Sequence, residues 1–132
     1  MRKTVYFILL VVLALTVVAC GGGGDDSAGG ADAAAGKKLF ASAVIGTQPG
    51  CITCHSLTPD EVIVGPSMAG IASRAGSRVP GQSAEEYIRE SILNPEAYLV
   101  EGFPTGTMPQ VWGQELSDDQ LNQIVAYLLT LK

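Results

Sequence analysis

Five consecutive residues, Cys51-Ile52-Thr53-Cys54-His55, limit what this chain can become more than any other stretch of it. Two thiols at this spacing can each add to a vinyl group of one porphyrin, and the histidine that follows is then held where its imidazole ligates iron. A domain that carries such a group must build its apolar interior around a flat, rigid insert. Rival chemistries fit less well. A structural zinc site takes four Cys or His ligands, and the domain offers Cys51, Cys54 and His55. A thioredoxin-like dithiol belongs in a βαβ context, and no strand alternation surrounds the motif. A plain Cys51–Cys54 disulfide stays open at this level.

Far upstream, residues 5–19 read VYFILLVVLALTVVA, without a charge, and follow Arg2 and Lys3. A cationic start, an apolar run and a small residue at Ala19-Cys20 have the layout of an export signal. The run is short of the roughly 20 residues that cross a bilayer, so residues 1–19 are expected to be a signal peptide outside the fold. Leu15-Thr16-Val17-Val18-Ala19 ahead of Cys20 resembles a bacterial lipobox. That resemblance implies an acylated Cys20 as the first mature residue and a place on the outer face of the bacterial cytoplasmic membrane. Each buried methylene of the lipid would add about 0.8 kcal/mol. The alternative is an ordinary signal, or an uncleaved anchor, with an incidental cysteine.

Residues 21–35, GGGGDDSAGGADAAA, offer nothing that buries a core. With Cys20 they are expected to form a flexible linker, its r.m.s. span about 20–23 Å. The domain proper is expected at 36–132. Once residues 1–19 are set aside, six cations face thirteen acids, a formal charge of −7. A nucleic-acid binder needs a basic footprint, so that class is set aside, whereas docking onto a basic partner is permitted.

His55 is the one histidine, so a second axial ligand from this chain must be methionine or another weak donor, unless the position is open. Met108 lies in Gly106-Thr107-Met108-Pro109, where Pro109 disfavours helix at its predecessor and the glycine frees the backbone. An irregular loop presents a side chain in this way. Met68, in Gly65-Pro66-Ser67-Met68-Ala69-Gly70-Ile71, opens what reads as a short helix close behind His55. A ligand on the far face of the iron requires the chain first to pass the porphyrin edge, so Met108 is expected as ligand and Met68 as packing. Pro66, Met68, Ile71 and Trp112 are candidates for the wall of the site. Trp112 is expected mainly as a core aromatic, with its indole N–H reaching a propionate as the alternative. Tyr87, Tyr98 and Phe103 are expected to pack.

Three helices can be placed. Ser117-Asp118-Asp119-Gln120 is a capping box, and Leu121, Ile124, Val125, Leu128 and Leu131 follow as one apolar stripe. Ser83-Ala84-Glu85-Glu86 is a second capping box, opening a helix through Tyr87, Ile88 and Ile92 that stops before Pro95. A further helix is expected from about Ala31 to Ala43. No segment reads as a convincing strand.

Taken in order, these parts resemble a class I cytochrome c across essentially all of residues 36–132. They are a first helix with Gly36 and Phe40, the C-x-x-C-H motif, a Gly-Pro-x-Met-x-Gly segment, a middle helix, a Met-Pro loop and a last helix with Tyr127. The resemblance implies an all-α fold around one covalently bound haem c, with Gly36 and Phe40 crossing Ile124 and Tyr127. It also implies that the Pro66 carbonyl accepts a hydrogen bond from His55. The stretch from Asn94-Pro95 through Gly102-Phe103-Pro104 to Met108-Pro109 further resembles cytochrome domains fused to, or serving, haem-copper oxidases. The implied function is one-electron transfer without bond chemistry, hence not an enzyme. The expected partners are redox proteins, a quinol-oxidising complex and a terminal oxidase or reductase, with membrane contact through the lipid. A monomeric shuttle is the leading expectation. A permanently docked subunit, or a haem enzyme or gas sensor with an open sixth position, are the alternatives.

Overall fold

The computed structural model describes residues 26–132, with side chains from Asp32 onward. The expected export signal, Cys20 and the start of the expected linker lie outside the described residues. Helix α1 spans Asp26–Phe40, and a two-strand ladder pairs β1, Val44–Ile45, with β2, Gln48–Pro49. A 3-10 turn at Cys51–Thr53 carries the thiol motif. Helices α2, Ile71–Arg74, α3, Ala84–Leu93, α4, Trp112–Glu115, and α5, Asp118–Leu128, complete the chain. Helix dominates, as expected.

Helix α1 departs from expectation at both ends. It begins at Asp26, so the stretch expected to be a flexible linker through residue 35 is helical from that point on. Alanine is the strongest helix former, and the alanines of this stretch outweigh its two glycines. The helix ends at Phe40 instead of Ala43 because the chain turns there into the ladder, in which Val44 faces Pro49 and Ile45 faces Gln48. The absence of strands expected from the sequence is corrected accordingly. Two residues per strand leave no alternation to read, and Gly46, at φ +57°, supplies the left-handed turn between them.

The two capping boxes form as expected. Ser83 Oγ accepts the Glu86 N–H at 3.2 Å while Glu86 Oε2 accepts the Ser83 N–H at 2.8 Å. Ser117 Oγ accepts the Gln120 N–H at 3.2 Å and Gln120 Oε1 accepts the Ser117 N–H at 3.0 Å. Each box satisfies amides that the helix itself leaves free, and together they fix where α3 and α5 start.

The core sits where α1 crosses α5. Phe40, Ile124 and Val125 are fully buried, and Leu121, Tyr127 and Leu128 extend the same apolar face. The Phe40 and Tyr127 rings lie 5.6 Å apart, tilted by 60°. Gly36 makes the crossing possible. A Cβ there would stand 1.8 Å from the Gln123 carbonyl oxygen and 2.9 Å from Tyr127 Cβ. The closest backbone is therefore that of Gln123, one residue before the expected Ile124. Leu131, expected on the α5 stripe, lies beyond the helix end. Its carbonyl accepts the Ala72 N–H at 3.0 Å and so ties the chain's last turn to α2.

Candidate functional site

Between these helices lies a cavity of about 360 Å³ with predominantly apolar walls. Cys51, Cys54 and His55 reach it from the 3-10 turn, Pro66 and Met68 from the loop before α2, and Met108 from the loop before α4. Ile71 and Trp112 line it as well. All eight residues singled out from the sequence for this site thus meet in one place, although Met68 lies just ahead of α2 and not inside it. Its carbonyl accepts the Ile71 N–H at 3.1 Å, which starts that helix. Cys20 lies outside the described residues.

The thiol turn is made by local backbone bonds. The Thr53 N–H reaches the Gly50 carbonyl at 3.0 Å, and the N–H groups of Cys54 and His55 both reach the Cys51 carbonyl, at 3.2 and 2.9 Å. The two sulfurs are not joined to each other. Burial pushes the Cys51 thiol up to about 11.

The imidazole of His55 is held by the Gly65-Pro66 backbone. Its Nδ1 lies 2.8 Å from the Pro66 carbonyl oxygen. A carbonyl can only accept, so Nδ1 carries the proton and Nε2 keeps its lone pair for a metal. Burial lowers the pKa of the ring, and the Pro66 bond opposes that shift. A Cβ at Gly65 would come within 2.5 Å of the ring, so the residue ahead of Pro66 must be glycine for the imidazole to lie there. In the sequence Gly65 is only the glycine ahead of Pro66; its contact with the ring depends on where His55 points.

The loop from 56 to 69 is held by contacts that no short motif announces. Ser67, itself buried, donates to the Thr58 carbonyl at 2.6 Å and accepts the Ala69 N–H at 3.1 Å. The Met68 N–H donates to the Ser56 carbonyl at 2.8 Å. The Arg74 guanidinium donates to the carbonyls of Ser67 and Ala69. Pro66 and Met68 therefore sit on a cross-braced turn.

Trp112 is 4% exposed, and its Nε1 is the buried side-chain polar atom without a hydrogen-bond partner among the described residues. Buried N–H groups are rarely left so. Trp112 is thus buried as a core aromatic is expected to be, lines the cavity, and has an indole N–H that no described residue answers. A porphyrin with propionate carboxylates fits the arrangement. Its apolar faces match the walls, two thiols are present for its vinyl groups, a free imidazole nitrogen for its iron, and the Trp112 N–H on the wall is unanswered by the described residues. Val64 and Leu99 line the cavity and are also exposed, at 47% and 42%, so its mouth is apolar.

Residues 33–132 match the family described as Cytochrome c. The chain belongs to the cytochrome c family. No curated protein matches it at a significant level. Membership and the helical architecture together make this a class I cytochrome c fold, with one covalently bound c-type haem as its cofactor and electron transfer with redox partners as its function.

In this cytochrome a carboxylate joins the parts on either side of the haem site. The Thr47 N–H donates to Glu115 Oε2 at 2.9 Å and the Thr47 hydroxyl donates to Oε1. The β1–β2 turn ahead of the thiols is thereby tied to α4 behind the Met108 loop. These bonds hold the Glu115 carboxyl below the usual range, as the Ser83 bonds do for Glu86. A carboxyl depressed in the folded state stabilises above its unfolded pKa and loses that contribution as pH falls through the folded value. Glu115→Gln should therefore lower stability at neutral pH, where that contribution is present, and leave acidic pH less affected, so that the acid limb flattens, as read by urea midpoints taken from neutral to acidic pH.

Proposed function

We propose that the protein is a membrane-tethered one-electron carrier whose haem is bonded to Cys51 and Cys54 and ligated by His55 and Met108. The observation that carries this reading is the convergence of both thiols, the imidazole and the Met108 side chain on a single cavity. When bound, the haem supplies reversible one-electron chemistry between ferric and ferrous iron. The chain supplies the rest. The Pro66 carbonyl fixes the His55 ring and raises its basicity. A thioether from Met108 favours the ferrous state, and the apolar walls, Ile71 among them, do the same by excluding water. Two protein ligands leave no position for substrate, so the protein is a carrier and not an enzyme.

The lipobox-like run before Cys20 supports anchoring by lipid to the outer face of the bacterial cytoplasmic membrane. Tethering raises the carrier's local concentration near fixed partners. Those partners are a quinol-oxidising complex on the donor side and a terminal oxidase or reductase on the acceptor side. The resemblance of the 94–109 stretch to oxidase-serving domains favours the oxidase.

The test is an optical titration of protein matured in a host that attaches haem, with intact-mass measurement. The reading requires the mass of one haem on the polypeptide, a weak far-red band in the ferric state, and ferrous protein that resists carbon monoxide. Bare polypeptide ends the carrier reading. Ready binding of carbon monoxide without the far-red band would assign an open sixth position, the arrangement of a sensor or enzyme. Co-elution in fixed ratio with a larger complex in mild detergent would replace the free shuttle with a resident subunit.

A further inference from the structure

The loop that carries Met108 is unusually poor in backbone support. Between Pro95 and Gln110 the described hydrogen bonds are nearly all local. The Ala97 N–H reaches Asn94, the Phe103 N–H reaches Val100, and the Thr107 hydroxyl reaches the Pro104 carbonyl, each three residues away. One bond spans the loop. Glu96 Oε1 accepts the Gly106 N–H at 2.7 Å, across ten residues.

Both ends of that bond are placed by independent features. Glu96 lies three residues past Leu93, where α3 ends; Ile88 and Ile92 of that helix are in the core, and Pro95 beside Glu96 is buried. Gly106 adopts φ +72°, and nothing lies within 4 Å of where its Cβ would be. Glycine is therefore required there by backbone conformation and not by crowding. That conformation turns the amide toward the carboxylate. Met108 follows two residues later, and Glu96 and Met108 line the same cavity.

We propose that Glu96 is a positioning residue for Met108: by pinning the Gly106 amide to the end of α3, its carboxylate holds the thioether within reach of the iron. The inference rests on Met108 being the sixth ligand. A carboxylate accepting from an amide is among the stronger hydrogen bonds, and it is the one covering the long span of this loop. Without it the loop keeps its local turns but loses its anchor to the helix, so an external ligand displaces Met108 more easily.

The experiment is a titration of ferric holoprotein with imidazole, followed by loss of the far-red band, in wild type, Glu96→Gln, Glu96→Ala and Gly106→Ala. Loss of the bond should raise the apparent imidazole affinity of Glu96→Ala by about tenfold. Glu96→Gln keeps a carbonyl acceptor and should stay near wild type. Gly106→Ala, which forces a side chain into the left-handed region, should reproduce the gain and serves equally where Glu96→Ala matures poorly. A purely structural role would lower the melting temperature of Glu96→Ala and leave imidazole affinity unchanged. That result, or a Glu96→Gln variant that gains imidazole affinity as much as Glu96→Ala, overturns the proposal while the ligand assignment stands. A wild-type ferric protein without the far-red band overturns the ligand assignment and this proposal with it.

Discussion

Met108→Ala is expected to yield a haem-loaded protein whose ferric form has no far-red band and whose ferrous form binds carbon monoxide. Its midpoint potential should fall by at least about 120 mV, two decades in ferrous-over-ferric preference at about 59 mV per decade for one electron. Optical redox titration measures both effects on one sample. Met68→Ala is the internal control. Met68 lines the same cavity but is only partly buried. Its truncation should keep the band and cost about 2 kcal/mol of stability, the low end for a buried methionine. An exchange of the two phenotypes would move the sixth ligand to Met68 and undo the proposed ligation.

The second large effect belongs to a residue far from the iron. Gly36→Ala places a carbon 1.8 Å from the Gln123 carbonyl oxygen. That obstacle is backbone on a helix whose far side is packed, so α1 and α5 must separate. Overpacking a core costs about 1–3 kcal/mol, and a clash with backbone sits at or above the upper end. At about 3 kcal/mol the melting temperature of a domain this size falls by roughly 12 °C or more. Thermal melts of the haem-loaded protein followed in the far ultraviolet provide the measurement. A variant that melts within a few degrees of wild type would mean that the crossing is looser than the geometry states. The far-red band should survive in whatever fraction folds, since Gly36 does not line the cavity.

What the sequence discloses follows from the range of each interaction. Ser83 with Glu86 and Ser117 with Gln120 are legible because both halves of each box lie within one turn. The thiol motif is legible for the same reason. The ends of α1 are less so. Alanine content carries the helix back to Asp26 against two glycines, and a ladder of two residue pairs stops it at Phe40. Gly36 and Pro66 emerge through resemblance to a family, since nothing around either residue names its partner. Gly65, Glu96 and the Thr47–Glu115 pair are not legible. In each, the meaning of one residue depends on another that folding brings to it, and Thr47 and Glu115 are 68 positions apart. The indole of Trp112 is an intermediate case, because its burial is readable and its missing partner is not.

The α1–α5 crossing also has a consequence for timing. Gly36 and Gln123 stand about ninety residues apart, and closing so long a loop is entropically slow compared with making a single turn. The Cys51–His55 segment needs only neighbours to take its shape. The α1–α5 contact is therefore expected to form late in folding, closing the two ends of the domain over a site whose thiol turn draws its hydrogen bonds from near neighbours.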